Sequence, residues 1–172
     1  LGEFNLSDIS NNSGTLTALL DGAAVDTYSK MRLDGVRLTA PDGATVLTPF
    51  TTIINESGID QDTLKLMLEL PRFLDLMHFN SFNTSADVSG SDLLYYESVA
   101  QRLMLIVRAT SAGLEGIGFT AREAYEEGLT LVADTLSGIA ENFDVEVGFN
   151  LQDALIDLSK AVETRVNQLL SA

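Results

Sequence analysis

The stretch Leu38-Thr39-Ala40-Pro41-Asp42-Gly43-Ala44-Thr45-Val46-Leu47-Thr48-Pro49-Phe50-Thr51-Thr52-Ile53-Ile54 decides the fold. It reads as a short strand, a turn and a helix start. Pro41-Asp42-Gly43 is turn chemistry, because proline presets φ and glycine accepts the positive φ that other residues resist. Thr48 is placed to cap the orphan amides of a helix whose first position is Pro49, where a missing N–H costs nothing. Gly58 falls where a helix of about two and a half turns would stop. The chain therefore changes at this point from strand-and-turn character to helical character.

Upstream, residues 1–47 hold short β-capable runs, Gly14 to Leu20 and Met31 to Ala40, separated by Asp21-Gly22, Asp34-Gly35 and Asp42-Gly43. Asp-Gly dipeptides between such runs are hairpin signals. Val36 and Leu38 alternate with Arg37 and Thr39, which predicts a strand with the first two inward and the others outward. Two or three short strands do not make an independent sheet, so this element must lean on the helices that follow.

Downstream, residues 48–172 carry a 3.6-residue period. The Pro49 helix is followed by a short one from about Asp60 to Leu70, stopped by Pro71, with Leu64, Met67 and Leu68 on its apolar side and an Asp62–Lys65 pair outside. Residues 71–90 are poorly periodic and read as an ordered loop pinned by Phe73, Leu76, Phe79 and Phe82. Three longer helices follow. The first starts at Ser91 or Asp92, carries Tyr96, Val99, Ala100, Leu103, Ile106, Val107 and Thr110 inward, and is broken by Gly113, Gly116 and Gly118. Thr120 and Glu123 have capping-box spacing and open the second, with Tyr125, Leu129, Val132, Leu136 and Ile139 on one face. Asn150 opens the third, with Leu155 and Val162 among its apolar stripe. The expected architecture is mainly α: an antiparallel helical bundle carrying a small N-terminal β-hairpin, one structural unit.

The second block, Leu68-Glu69-Leu70-Pro71-Arg72-Phe73-Leu74-Asp75-Leu76-Met77-His78-Phe79-Asn80-Ser81-Phe82, together with the opening stretch, resembles a helical module of very large, multidomain secreted or surface-displayed bacterial proteins. Those modules carry an "APxGATVxTPLTTLI"-like block and then an "LGLP…DLL.FDPF"-like block. Phe50 stands where the family usually has Leu, and Asn80 where it often has Asp, which weakens any idea of a metal at Asn80. The resemblance implies an adhesin-like, extracellular location and an architecture, with neighbouring modules or a surface or matrix molecule as partners. It implies no catalytic residues.

Composition narrows the chemistry. The 172 residues include ten Lys plus Arg against twenty-five Asp plus Glu, a formal charge of −15. Such a field repels DNA, RNA and anionic lipid. No charge-free run approaches the ~18 residues of a membrane-spanning helix. Without cysteine there are no disulfides, thiolate metal sites or thiol nucleophiles. The first residues, Leu1-Gly2-Glu3-Phe4, lack an initiator methionine and a signal-peptide pattern, as expected of a fragment of something longer.

The candidate site residues are few. The lone His78, between Met77 and Phe79, has no second histidine to build a zinc site or a relay, and a structural role is expected of it. Gly113-x-x-Gly116-x-Gly118 follows a helix and is a linker, not a dinucleotide fingerprint. Glu123, Glu126 and Glu127 read as a solvated helix face. No cofactor is expected, with calcium the one cation to weigh. Asp8-Ile9-Ser10-Asn11-Asn12-Ser13-Gly14 resembles the start of an EF-hand loop, but its glycine falls one place late and Leu19 stands at the twelfth position. Asp21, Asp26, Asp34 and Asp42 are either oxygen ligands in turns or simply hairpin formers, and both readings stay open. Glycosylation-type patterns at Asn5, Asn11, Asn55 and Asn83 are coincidental in a bacterial chain. The reading is a non-enzymatic structural or adhesive module. The alternative is a carbohydrate- or ligand-binding accessory domain of a secreted enzyme, poorly supplied with stacking surface because tryptophan is absent and Tyr95-Tyr96 is the one adjacent tyrosine pair.

Overall fold

The computed structural model describes residues 14–20, 25, 35–82, 88–143 and 151–171, except for the side chains at 151–155, 158 and 169–170. Two strands, β1 (Leu16–Leu20) and β2 (Val36–Ala40), precede five helices: α1 (Pro49–Ser57), α2 (Gln61–Met67), α3 (Gly90–Glu115), α4 (Ala121–Glu141) and α5 (Leu151–Leu170). The protein is mainly helical with a minor β element, as the periodicity predicts. The strands pair antiparallel, Leu16 opposite Ala40 and Leu20 opposite Val36, and the Gly35 amide donates to the Leu20 carbonyl at 3.0 Å to close the hairpin.

The opening stretch folds as its chemistry dictates. The Ala44 amide donates to the Pro41 carbonyl at 3.2 Å, with Gly43 at φ 84 in the turn. Thr48 caps α1, its hydroxyl accepting from the Thr51 amide while the Thr51 hydroxyl accepts from the Thr48 amide, so two orphan donors are satisfied reciprocally. Pro49 holds the first helical position, and Gly58 ends the helix in the left-handed region at φ 71. Asp60 caps α2 by accepting from the amides of Asp62 and Thr63. That helix is shorter than its periodicity predicts. It stops at Met67, and Glu69 takes φ 54 so that the Leu70 amide can return to the Lys65 carbonyl.

The core is one cluster built around α3 and α4, with α1 and the α2 region packed over it. Leu103, Val107, Val132 and Leu136 are all buried, and Val162 of α5 packs partly buried against them. Leu155 lies outside the described side chains. Tyr96 sits between Phe50 and Phe79, with ring centroids 4.7 and 4.8 Å away. The five residues between α3 and α4 force them antiparallel. Arg165 of α5 pairs with Glu127 of α4.

Further expectations are corrected. α3 begins one to two residues early, at Gly90, because Ser89 and not Ser91 or Asp92 is the cap, accepting from the Asp92 amide. Gly113 does not break α3, which runs on to Glu115 and ends at Gly116. Thr39 is fully buried while Leu38 is only partly so, because α1 covers the face of β2 that simple alternation assigns to solvent. Phe73 and Phe82 are exposed and pin nothing, whereas Leu74 and Leu76 are buried. The loop is fixed from beneath by Lys65, whose buried ammonium donates to the carbonyls of Arg72 and Leu74, both at 3.1 Å, and pairs with Asp62 at 2.7 Å. With alternate carbonyls held by one cation, Leu74 and Leu76 turn inward and Phe73 and Asp75 turn out.

Candidate functional site

The densest polar arrangement lies where β2, α1 and α4 meet. β2 pairs with β1 along one edge, which leaves its other edge with backbone groups to satisfy. Side chains do this. The Thr39 amide donates to the Thr52 hydroxyl at 3.0 Å, and the Arg37 carbonyl accepts from the Tyr125 hydroxyl at 2.9 Å. The Thr52 hydroxyl in turn donates to the Thr48 carbonyl at 2.8 Å. The Thr39 hydroxyl donates to the Glu56 carboxylate at 2.9 Å and accepts from the Asn55 amide at 3.3 Å, and Arg37 reaches the same carboxylate at 3.4 Å. Burial pushes the Tyr125 phenol up to about 12. The sequence carried a signal for part of this: Thr48, Thr51 and Thr52 fall on one helix side, a polar stripe that needs a partner. Nothing in the pattern names that partner as Thr39, or brings in Tyr125.

Beside this junction an open cleft of about 490 Å3 is lined by Arg37, Phe119, Glu123, Glu126, Glu127 and Thr130. Three carboxylates read from sequence as a wet helix face, Glu123, Glu126 and Glu127, line it together. Each is engaged. Glu123 accepts from the Thr120 hydroxyl at 2.6 Å and the Thr120 amide at 3.1 Å, and these bonds hold its carboxyl below the ordinary value. Glu126 pairs with Arg122 at 3.2 Å, and Glu127 with Arg165. A carboxylate acting as general acid near neutral pH needs a raised pKa, and burial or a like charge to raise it. Glu123 is displaced the other way. What the cleft offers is ion pairing between a guanidinium and carboxylates.

His78 is exposed, and its Nδ1 lies 2.9 Å from the Asp75 carboxylate. Partial burial pushes Asp75 up, but hydrogen bonds from His78 and the Met77 amide outweigh it, and its carboxyl sits below the usual range. The pair ties down the turn before Phe79. Among the described residues no three His, Asp or Glu side chains are arranged to hold a metal ion. Of the turn aspartates, Asp42 is exposed, while Asp21, Asp26, Asp34 and the segment from Asp8 to Ser13 lie outside the described residues. Asn55 is occupied inside the junction and also accepts from the Thr15 hydroxyl at 3.3 Å. Asn5, Asn11 and Asn83 lie outside the described residues. The Gly113–Gly118 run is helix end and turn. Tyr96 is buried, and Tyr95 donates its hydroxyl to the Leu68 carbonyl at 3.1 Å, so the adjacent tyrosines do not form a flat pair. Among the described residues no helix is long and apolar enough to cross a membrane.

Comparison with family models, with curated proteins and with solved structures returned no match.

Proposed function

We propose that this chain is a non-enzymatic structural or adhesive module of a large secreted or surface-displayed bacterial protein. Its partners would be neighbouring modules of the same polypeptide, or a cell-surface or matrix molecule. One observation carries the reading: the two blocks that bear the resemblance are spent on architecture. In the first, Thr39, Thr51, Thr52, Phe50 and Ile53 are buried and bonded to one another or packed in the core. In the second, Leu70, Leu74 and Leu76 are buried over α2 and the loop carbonyls are held by Lys65. Residues that serve a reaction would instead meet in a cleft with displaced acid–base character. The engaged carboxylates beside Arg37 support the same reading. Surface labelling tests it. Antibody raised against this chain is expected to stain intact, unpermeabilised cells of the producing organism, or to detect the parent protein in the culture medium. Staining that appears only after permeabilisation, with nothing in the medium, would overturn the extracellular assignment.

A further inference from the structure

Helix α5 is held to the rest of the fold unlike the other four. Each of those buries apolar side chains: Phe50 and Ile53 in α1, Leu64 and Met67 in α2, Leu103 and Val107 in α3, Leu129 and Val132 in α4. Among the described side chains of α5 none is buried. Ala161, Val162, Arg165 and Val166 form a half-buried stripe at helical spacing. The described residues around it are exposed, Ile156 among them at 47%. The helix rests chiefly on α4, which also packs against α3, α1 and β2. Of the described α5 residues, Val162 borders the core cluster, and the buried members of that cluster all precede α5 in sequence. Electrostatics leave the joint weak as well. Both α4 and α5 carry more carboxylates than cations, so like charge opposes their approach. Lys160 is turned to Asp157 of its own helix. Arg165 reaches across to Glu127, and among the described residues this is the one ion pair that joins the two helices. Both partners keep part of their side chain in solvent, 39% for Arg165 and 26% for Glu127, so the pair holds the joint without locking it.

We infer that α5 is a detachable strap: it leaves α4 as a unit while the hairpin and α1 to α4 stay folded, and its departure frees the Glu127 carboxylate. A region with few buried apolar contacts opens at a far lower free energy than a packed core. Once undocked, a lone helix of twenty residues is marginal in water, so its amides lose their protection together. The strap also changes the cleft beside Arg37, because Glu127 is part of its wall. Docked, Arg165 neutralises that carboxylate. Undocked, Glu127 stands unpaired beside Glu123 and Glu126, and the apolar stripe of α5 is uncovered. The inference does not depend on where the protein is displayed or what it adheres to.

Native-state hydrogen exchange of the full chain, read by mass spectrometry on peptides from each helix, tests the inference. Amides across α5 are expected to exchange together, at least a hundredfold faster than those at the centres of α3 and α4, yet slower than in an unstructured peptide. Arg165→Met keeps the packing stem and removes the charge, and Glu127→Gln removes the partner. Each should speed α5 exchange about three- to tenfold and leave α3 and α4 unchanged. The double variant should be no faster than the quicker single one, since both remove the same pair. Arg122→Met, which breaks an ion pair within α4, should leave α5 as it was. Exchange of α5 at the rate of α3 and α4 overturns the proposal, because the helices would then open as one unit. Exchange at the rate of an unstructured peptide overturns it too, because the strap would never be closed. So does α5 exchange that neither Arg165→Met nor Glu127→Gln alters, which would leave the ion pair no part in holding it.

Discussion

Tyr125 shows how a single polar atom can join distant parts of the chain. Its ring is packed in the α4 face and its hydroxyl donates to the Arg37 carbonyl, eighty-eight residues away in sequence. The bond satisfies an acceptor on the strand edge, and burial of the ring makes ionisation unfavourable. The ordinary phenol value of 10.0 governs the unfolded chain, and about 12 governs the fold. Between those values the unfolded chain has released a proton that the folded chain keeps, so raising the pH favours unfolding. The stabilisation is therefore complete below about pH 10 and is lost as pH climbs towards 12. A shift of this size corresponds to roughly 2–3 kcal/mol. Tyr125→Phe is expected to cost about 1 kcal/mol at neutral pH, where the Arg37 carbonyl loses its donor. It should also flatten the decline of stability above pH 10, with the buried Tyr96, whose phenol burial likewise raises, supplying what remains. Urea unfolding of both proteins at pH 8 and pH 11 measures this. An identical pH dependence in the two would show that Tyr125 ionises freely in the fold.

At the scale of elements, the closest approach of α3 and α4 is set by Gly128. A Cβ built there would stand 2.7 Å from the Ser111 hydroxyl, 3.2 Å from the Ser111 amide and 3.3 Å from the Val107 carbonyl. The hydroxyl could turn away, but the two backbone atoms belong to a packed helix and cannot. Gly128→Ala is accordingly expected to destabilise by about 1–3 kcal/mol, as overpacked interfaces do. Gly138, in the same helix, meets nothing within 4 Å. There the alanine only adds helix propensity, and Gly138→Ala should stabilise by about 0.5–1 kcal/mol. Thermal melts of the two variants should move in opposite directions; a shift the same way in both would remove Gly128 as a contact point. The helices themselves were legible in the sequence, because Thr48-Pro49, Thr120 with Glu123, and the Tyr96–Val107 and Tyr125–Leu136 stripes are local signals. Gly128 was not, since a helical glycine looks the same in sequence whether a neighbour or solvent lies beside it. Thr39 was misread for a similar reason. Alternation assumes one covered face, and α1 covers the second. Lys65 read as half of a surface pair because its loop partners are backbone carbonyls, which leave no mark in a sequence. The junction that brings Arg37, Thr39, Glu56 and Tyr125 together was therefore hidden, although each of its elements was predicted.

For the whole molecule the governing quantity is the charge of −15. The cations that the structure places are mostly committed: Arg37 to Glu56, Lys65 to Asp62, Arg122 to Glu126, Lys160 to Asp157 and Arg165 to Glu127. With so few cations for so many carboxylates, most of the acidic surface is unneutralised, and compaction raises its self-repulsion. Monovalent salt screens this over a distance of about 10 Å at 0.1 M. The melting temperature is therefore expected to rise with NaCl and then level off. A specific calcium site would behave differently, adding stabilisation of RT ln(1 + [L]/Kd) that continues to grow after screening has saturated. The described residues present no ready three-ligand cluster for such an ion, and Asp42 stands exposed in its turn. Because no complete ligand loop is readable in the sequence, calcium titrated into a background of saturating NaCl is expected to leave the melting temperature unchanged. A continued rise with calcium that disappears in Asp42→Asn or Asp34→Asn would reverse this, because only a site built from those turn carboxylates would respond to the loss of one ligand charge while general screening stayed the same.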